Sequence, residues 1–181
     1  FLGIFSYLRQ HDEVIKSIEV EKLNEVKILS SHIQSKIDEL RNDVLFLAST
    51  PPIKGILRAS KNRGIDPKDG SKIGTWKNRL STIFEEMLYA KENYLQIRYI
   101  GYEDKGKELV RVERAESSKI IKVDEFDLQV KGEEDYFKET FLLAPHKIYL
   151  SDFNPNRELG KIQYPIQLVL RAAVPIYETR E

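Results

Sequence analysis

The sequence predicts an α+β fold, with helices first and an antiparallel sheet after them. Three observations carry this expectation. An apolar seam with helical spacing runs through residues 1–50, and a second helical stripe comprises Trp76, Leu80, Ile83, Phe84 and Met87. From Tyr94 onward the pattern changes to period two, with β-branched and aromatic residues enriched.

In the first helix Val26, Ile33, Leu40 and Leu47 recur every seventh residue, with Ile37 and Val44 between them. That is a narrow seam of the kind one helix offers another. A helix from Tyr7 to Ala48 would span roughly 60 Å, about twice the diameter of a small domain. Part of it is therefore expected to project as a stalk or to pair with another helix. Ser49, Thr50, Pro51 and Pro52 end it, because consecutive prolines remove donors and push the preceding residue out of the α region.

A short helix is expected from Ile53 to Ala59. Between Lys61 and Gly74 the chain is polar, and Gly64, Pro67, Asp69 and Gly70 mark tight turns in which no phosphate loop is recognisable. Thr75 is a plausible N-cap for a core-facing helix ending near Asn93. Tyr94 to Tyr102, a turn at Asp104, Lys105 and Gly106, and Glu108 to Arg114 then read as a hairpin. Residues 115–145 are irregular, with a short strand at Ile120 to Val123 and a helical turn at Asp135 to Phe141. His146 to Phe153 reads as a third strand, Asn154, Pro155, Asn156 and Gly160 as turns, and Ile166 to Tyr177 as a long fourth strand. The expected division is a stalk and dimerisation helix over residues 1–50 and a lobe over residues 51–181.

The chain has 181 residues, and its 29 basic and 29 acidic side chains alternate without a sign-pure block, which argues against nucleic acid as a partner. Cysteine is absent, so disulfides, thiolate metal sites and cysteine nucleophiles are excluded, while the compartment stays open. No segment is a transmembrane span. Phe1, Leu2, Gly3, Ile4 and Phe5, followed by Tyr7 and Arg9, read as the last turn of a membrane helix leaving the bilayer or as an arbitrary start inside a helix, and the stalk behind them favours the membrane.

His11, His32 and His146 stand apart with no second ligand at metal spacing, so neither a metal nor a cofactor is expected. Serine-nucleophile, zinc-protease and nucleotide-loop motifs are missing. What remains is charge embedded in strands. Alternation places Gln96 and Arg98 on one face, Arg111 and Glu113 on one face of the next strand, and Gln167, Val169 and Arg171 on one face of the last. If the apolar faces pack on the helices, the other faces collect Arg98, Arg111, Arg171 and Tyr149, with Asp152 at a strand end. Guanidiniums beside a tyrosine suit a small carboxylate or other anion, and Glu113 or Asp152 would suit an ammonium group. The competing reading makes these residues structural ion pairs, and the register that decides which faces coincide is not legible in the sequence.

Several stretches resemble double Cache sensor domains, also called PDC domains, which lie outside the membrane in bacterial histidine kinases, diguanylate cyclases and chemoreceptors. They are Tyr94 to Gly101 with Gly106 to Arg114, Tyr136 to Thr140, Ile148 to Ser151, Asn156 to Glu158 with Gly160 to Ile162, Pro165 to Pro175, and the helix end Phe46 to Pro51. The resemblance covers nearly the whole chain through the order and spacing of these stretches. It implies a membrane-anchored first helix, a PAS-like sheet in a membrane-distal lobe with a small-molecule pocket, and a homodimer through the helices. Two departures accompany it. Family members continue into a further strand and a membrane-proximal lobe, so the chain is expected to be a fragment, or to have that strand supplied differently. The family's amino-acid signature places a Trp in the strand region, whereas Trp76 lies on a predicted helix.

The expected function is thus the extracytoplasmic ligand-sensing module of a bacterial transmembrane receptor, non-catalytic in itself, signalling to a cytoplasmic output domain. The alternative is a protein-interaction module that uses the long helix. An enzyme working through Glu113 or Asp152 lacks a positioned partner group.

Overall fold

The computed structural model describes the backbone of residues 2–115, 117–158 and 160–177, and the side chains from Glu13 onward except those of residues 104 and 158. The side chains of the Phe1 to Arg9 segment and of His11 lie outside the described residues. Helix α1 runs Leu2–Ala48, α2 Pro51–Lys61 and α3 Ile73–Ala90. Strands β1 (Gln96–Ile100), β2 (Glu108–Arg114) and β3 (Ile120–Lys122) form an antiparallel sheet in that order, with a helical turn α4 (Glu103–Gly106) at the β1–β2 connection. Helix α5 (Asp135–Phe141) follows. The α+β class is as expected.

The chain divides into residues 1–43 and 44–181, earlier than the Thr50 boundary. Val44 to Ala48 group with the second unit, where Leu47 joins the buried core. In the first unit the seam residues Val26 and Ile33 are 61% and 50% exposed, as are Ile18 and Leu29 at similar levels. Among the described residues no helix is long and apolar enough to cross a membrane.

In the second unit, Ile53, Ile56 and Ala59 of α2 and Trp76, Leu80, Phe84 and Leu88 of α3 meet Val110, Val112 and Ile120 of the sheet. The four α3 residues recur every fourth position and so form one stripe. The Arg114 guanidinium donates to the carbonyls of Leu88 and Tyr94, tying the end of α3 to the sheet.

Three expectations shift. Helix α3 starts at Ile73 rather than after Thr75, and its N-cap Lys72 makes no side-chain cap. The Ile73 N–H instead donates to the Gly64 carbonyl at 2.8 Å, so a distant backbone group satisfies the helix start. The third and fourth strands survive only as short pairs. β4 (Tyr149–Leu150) pairs with β9 (Ala172–Ala173), and β5 (Asn154–Pro155) with β8 (Leu168–Val169). The register slips by one residue between the two pairs, and Pro155 has no N–H to give to the ladder, so the ribbon breaks where a continuous strand was expected. A tight pair of β6 (Arg157–Glu158) and β7 (Lys161–Ile162) closes its far end. The apolar face expected along the fourth strand is also incomplete, since Leu168 is largely exposed.

Candidate functional site

The β1–β2 register places Gln96 opposite Glu113 and Arg98 opposite Arg111, so the charged faces of the two strands coincide. Beyond Tyr99 opposite Val110 the register shifts, and Ile100 faces Glu108. Leu109 is the extra residue of a β-bulge. The bulge turns Glu108 onto the Arg98 and Arg111 face, although simple alternation from Val110 and Val112 would send it into the core.

Glu108 is the hub of this face, only 1% exposed. Its Oε1 lies 3.0 Å from Arg98 Nη1, and its Oε2 accepts from Arg111 Nη1 at 3.3 Å and from the Gln129 N–H at 2.9 Å. Arg98 also donates to Gln96 Oε1, and Arg111 Nη2 lies 3.0 Å from Glu113 Oε2. Arg111 is 7% exposed, so its pairs form in a poorly solvated setting where each charge depends on its partners.

The segment after Gln129 is clamped to the hairpin tip. Gly132 N–H donates to the Lys105 carbonyl and Lys131 N–H to the Gly106 carbonyl, while Glu108 N–H donates to the Gln129 carbonyl. Gly106 has φ +76°, and a Cβ there would lie 2.7 Å from the Gly132 Cα, so side chains are excluded where the two segments cross. This crossing buries Lys131, whose Nζ is 3.9 Å from Glu134 Oε1, and delivers the chain into α5. Phe141 of α5 stacks on Tyr102 at 4.6 Å between ring centroids.

Tyr136 on α5 completes the site. Its buried hydroxyl has no hydrogen-bond partner among the described residues. Burial pushes the phenol up to about 12, opposed by the positive charges of Arg98 and Arg171 and reinforced by Glu134 and Glu108. Arg171 therefore sits near enough to act on the same phenol as Arg98. Its backbone is fixed by Ser151, which accepts the Arg171 N–H on Oγ at 2.9 Å and donates its own N–H to the Arg171 carbonyl. Burial likewise raises Tyr149, with Glu139, Asp135 and Asp152 acting in the same direction and Arg171 against them.

Of the residues singled out from sequence, Arg98, Arg111 and Glu113 share one face and one ion-pair network. The positive charge of Arg171 acts on the phenols of both Tyr136 and Tyr149. Asp152 is exposed, and its carbonyl, rather than its carboxylate, accepts from Ser151 and Asn154. Sequence reasoning missed Glu108, Lys131 and Tyr136. Glu108 was concealed by the bulge, and Lys131 lies in a stretch with no periodicity. Tyr136 falls in the expected helical turn, but nothing in the sequence sets it over the arginines.

Arg98, Arg171, Glu108 and Glu134 thus act on a phenol that lacks a partner among the described residues, beside the ion pairs that Arg98 and Arg111 make with Glu108 and Glu113. Such a site can hold an anion by charge-assisted hydrogen bonds. No group of three metal-ligating side chains is assembled among the described residues.

The fold is shared with known proteins. One crystal structure is of a domain of a Vibrio parahaemolyticus protein assigned to the sensory box/GGDEF family, with a TM-score of 0.61, 22% identity, and coverage of 81% of this chain and 49% of that one. Another is of the extracellular domain of a protein assigned as a histidine kinase, with a TM-score of 0.62, 22% identity, and coverage of 82% of this chain and 47% of that one. The chain thus spans about half the length of these solved chains. No protein-family model and no curated protein matches it.

Proposed function

We propose that the chain is the small-molecule-sensing domain of a bacterial transmembrane receptor, of the double Cache type, on the extracytoplasmic side of the inner membrane. It catalyses nothing itself and passes ligand occupancy through helices to a cytoplasmic output domain such as a kinase or a cyclase. The observation that carries this is the buried Tyr136 hydroxyl, partnerless among the described residues and acted on by Arg98 and Arg171, in a fold shared with a sensory-family domain and with the extracellular domain of an assigned histidine kinase. The ligand class is a small carboxylate or other anion, held by Arg98, Arg111 and Arg171 with Tyr136 and Tyr149, and with Glu113 and Asp152 toward any ammonium group.

A ligand shifts a receptor only by its differential affinity for two arrangements. Helix α5 is the element for this. It carries Tyr136, meets the hairpin tip through the Phe141–Tyr102 stack and through Phe137 against Gly106, and is joined to the C-terminal segment by Tyr177, whose hydroxyl donates to the Phe141 carbonyl. The exposed seam of α1 supports pairing with a second copy.

A thermal-shift screen of the purified domain against carboxylates, amino acids, amines and sugars tests the reading. A carboxylate at one hundred times its Kd adds about 2.7 kcal/mol, or a Tm rise of about 5–10 °C for a domain of this size. The rise should grow with the logarithm of ligand concentration and shrink in Tyr136→Phe, which keeps the ring. A folded domain that no anion stabilises refutes the sensor reading and favours the alternative, a non-catalytic interaction module using the long helix.

A further inference from the structure

We propose a second ligand site, distinct from the arginine cluster, in the cavity between the start of α2 and the 66–71 loop. It would bind a small carboxylate with a flat apolar body. The cavity is an open groove of about 360 Å³, lined by Ser49, Pro51, Lys54, Arg58, Lys68, Asp69 and Trp76. That volume falls within the range of small-molecule pockets. None of its residues belongs to the arginine cluster.

Both walls are built rather than incidental. Pro51, Lys54 and Arg58 lie on one face of α2 at i, i+3 and i+7. The opposite wall is a closed loop. Asp66 N–H donates to the Ser71 carbonyl, Gly70 N–H to the Asp66 carbonyl, and Ser71 N–H to the Asp69 carboxylate. At its centre the buried Asp66 carboxylate accepts from Arg58 Nε at 2.8 Å, Arg58 Nη2 at 2.6 Å and the Lys68 N–H at 2.9 Å. This one carboxylate fixes Arg58 and the backbone of Lys68 together and neutralises the guanidinium. The ammonium groups of Lys54 and Lys68 have no ion-pair partner among the described residues. Two cations therefore line the groove with one free-standing carboxylate, Asp69, whose Oδ1 is already engaged by the loop.

The floor is apolar and rigid. The Trp76 indole lies against Gly55, where even a Cβ would come within 2.2 Å of its ring, and the Arg79 guanidinium sits 4.4 Å from the ring centroid. Glycine backbone and guanidinium cannot share one ring face at these distances, so the indole is sandwiched and fixed. The Pro51 ring and the stems of Lys54 and Arg58, beside the small exposed part of the indole, would cover a flat body, while the two ammonium groups would take the carboxylate.

Trp76 is the only tryptophan and lines this cavity, so its fluorescence serves as a probe of the site. The domain would be titrated with benzoate, benzyl alcohol and inorganic phosphate. Benzoate is expected to give a saturable change that is about tenfold weaker in Lys54→Gln/Lys68→Gln, the effect of losing a charge-assisted contact, and unaltered in Tyr136→Phe. Both lysines are exposed, so the double variant should retain the wild-type melting transition. Absence of a saturable benzoate response, equal affinity in the double variant, or equal binding of benzyl alcohol would overturn the proposal. A response to phosphate in place of benzoate would overturn the flat carboxylate as the ligand class. Loss of benzoate binding in Tyr136→Phe would assign the signal to the arginine cluster and overturn the second site.

Discussion

Replacing Glu108 by Leu tests whether the arginine cluster is the buried network its geometry describes. Leu preserves approximate volume and removes the carboxylate that lies 3.0 Å from Arg98 Nη1 and 3.3 Å from Arg111 Nη1. Two guanidiniums, with side chains only 12% and 8% exposed, would then lose their shared counter-charge. Removing one partner of a buried pair costs about 3–5 kcal/mol. The Gln129 N–H would lose its acceptor as well, at about 1 kcal/mol or more. With a urea m-value of about 2 kcal/mol/M, the unfolding midpoint should fall by about 2 M. A second variant separates charge from packing. Arg98→Met/Glu108→Leu/Arg111→Met removes the three buried charges and leaves only the partly exposed Glu113, and apolar replacement of buried ion pairs is often neutral or stabilising, so most of the lost stability should return. Urea unfolding followed by circular dichroism reads both. A drop below about 1 kcal/mol in Glu108→Leu, or no recovery in the triple variant, would refute the reasoning, because the network would then behave as solvated surface pairs.

Other expected outcomes follow from single contacts. Gly55→Ala places a methyl 2.2 Å from Trp76 Cδ2, so Tm should fall by an overpacking cost of about 1–3 kcal/mol, and Gly55→Ala/Trp76→Leu should recover part of it. Asp66 is held down to about 2 by its hydrogen bond to Arg58. Its folded value lies below the unfolded one, so its contribution is complete above about pH 4 and is lost as pH falls toward 2. Asp66→Asn should therefore flatten that acid limb in urea unfolding between pH 2 and 5, and an unchanged limb would show that other carboxylates set it. Val26→Asp/Ile33→Asp puts charge into the exposed α1 seam, and sedimentation should change from dimer to monomer while the sheet remains folded. Identical sedimentation of wild type and variant would remove α1 as the dimer contact.

The local periodicities of this chain were sufficient to determine its long helices and its first hairpin. The α3 stripe at Trp76, Leu80 and Phe84, the hairpin with Arg98 and Arg111 on its outer face, and the helical turn at Asp135 to Phe141 each follow from spacing that neighbouring residues enforce. The tertiary structure decided what spacing cannot encode. A one-residue bulge at Leu109 turned Glu108 from the expected core face to the charged face, because face assignment depends on register with a partner strand. A backbone donor–acceptor pair from Ile73 to Gly64 replaced the side-chain cap expected at Thr75, and a register slip divided the expected fourth strand. Tyr136 became part of the site only because two glycine-bearing segments cross closely enough to set α5 over the arginines. Local sequence fixes which residues are charged, apolar or aromatic along each element, whereas contacts between residues distant in the chain fix which of them meet.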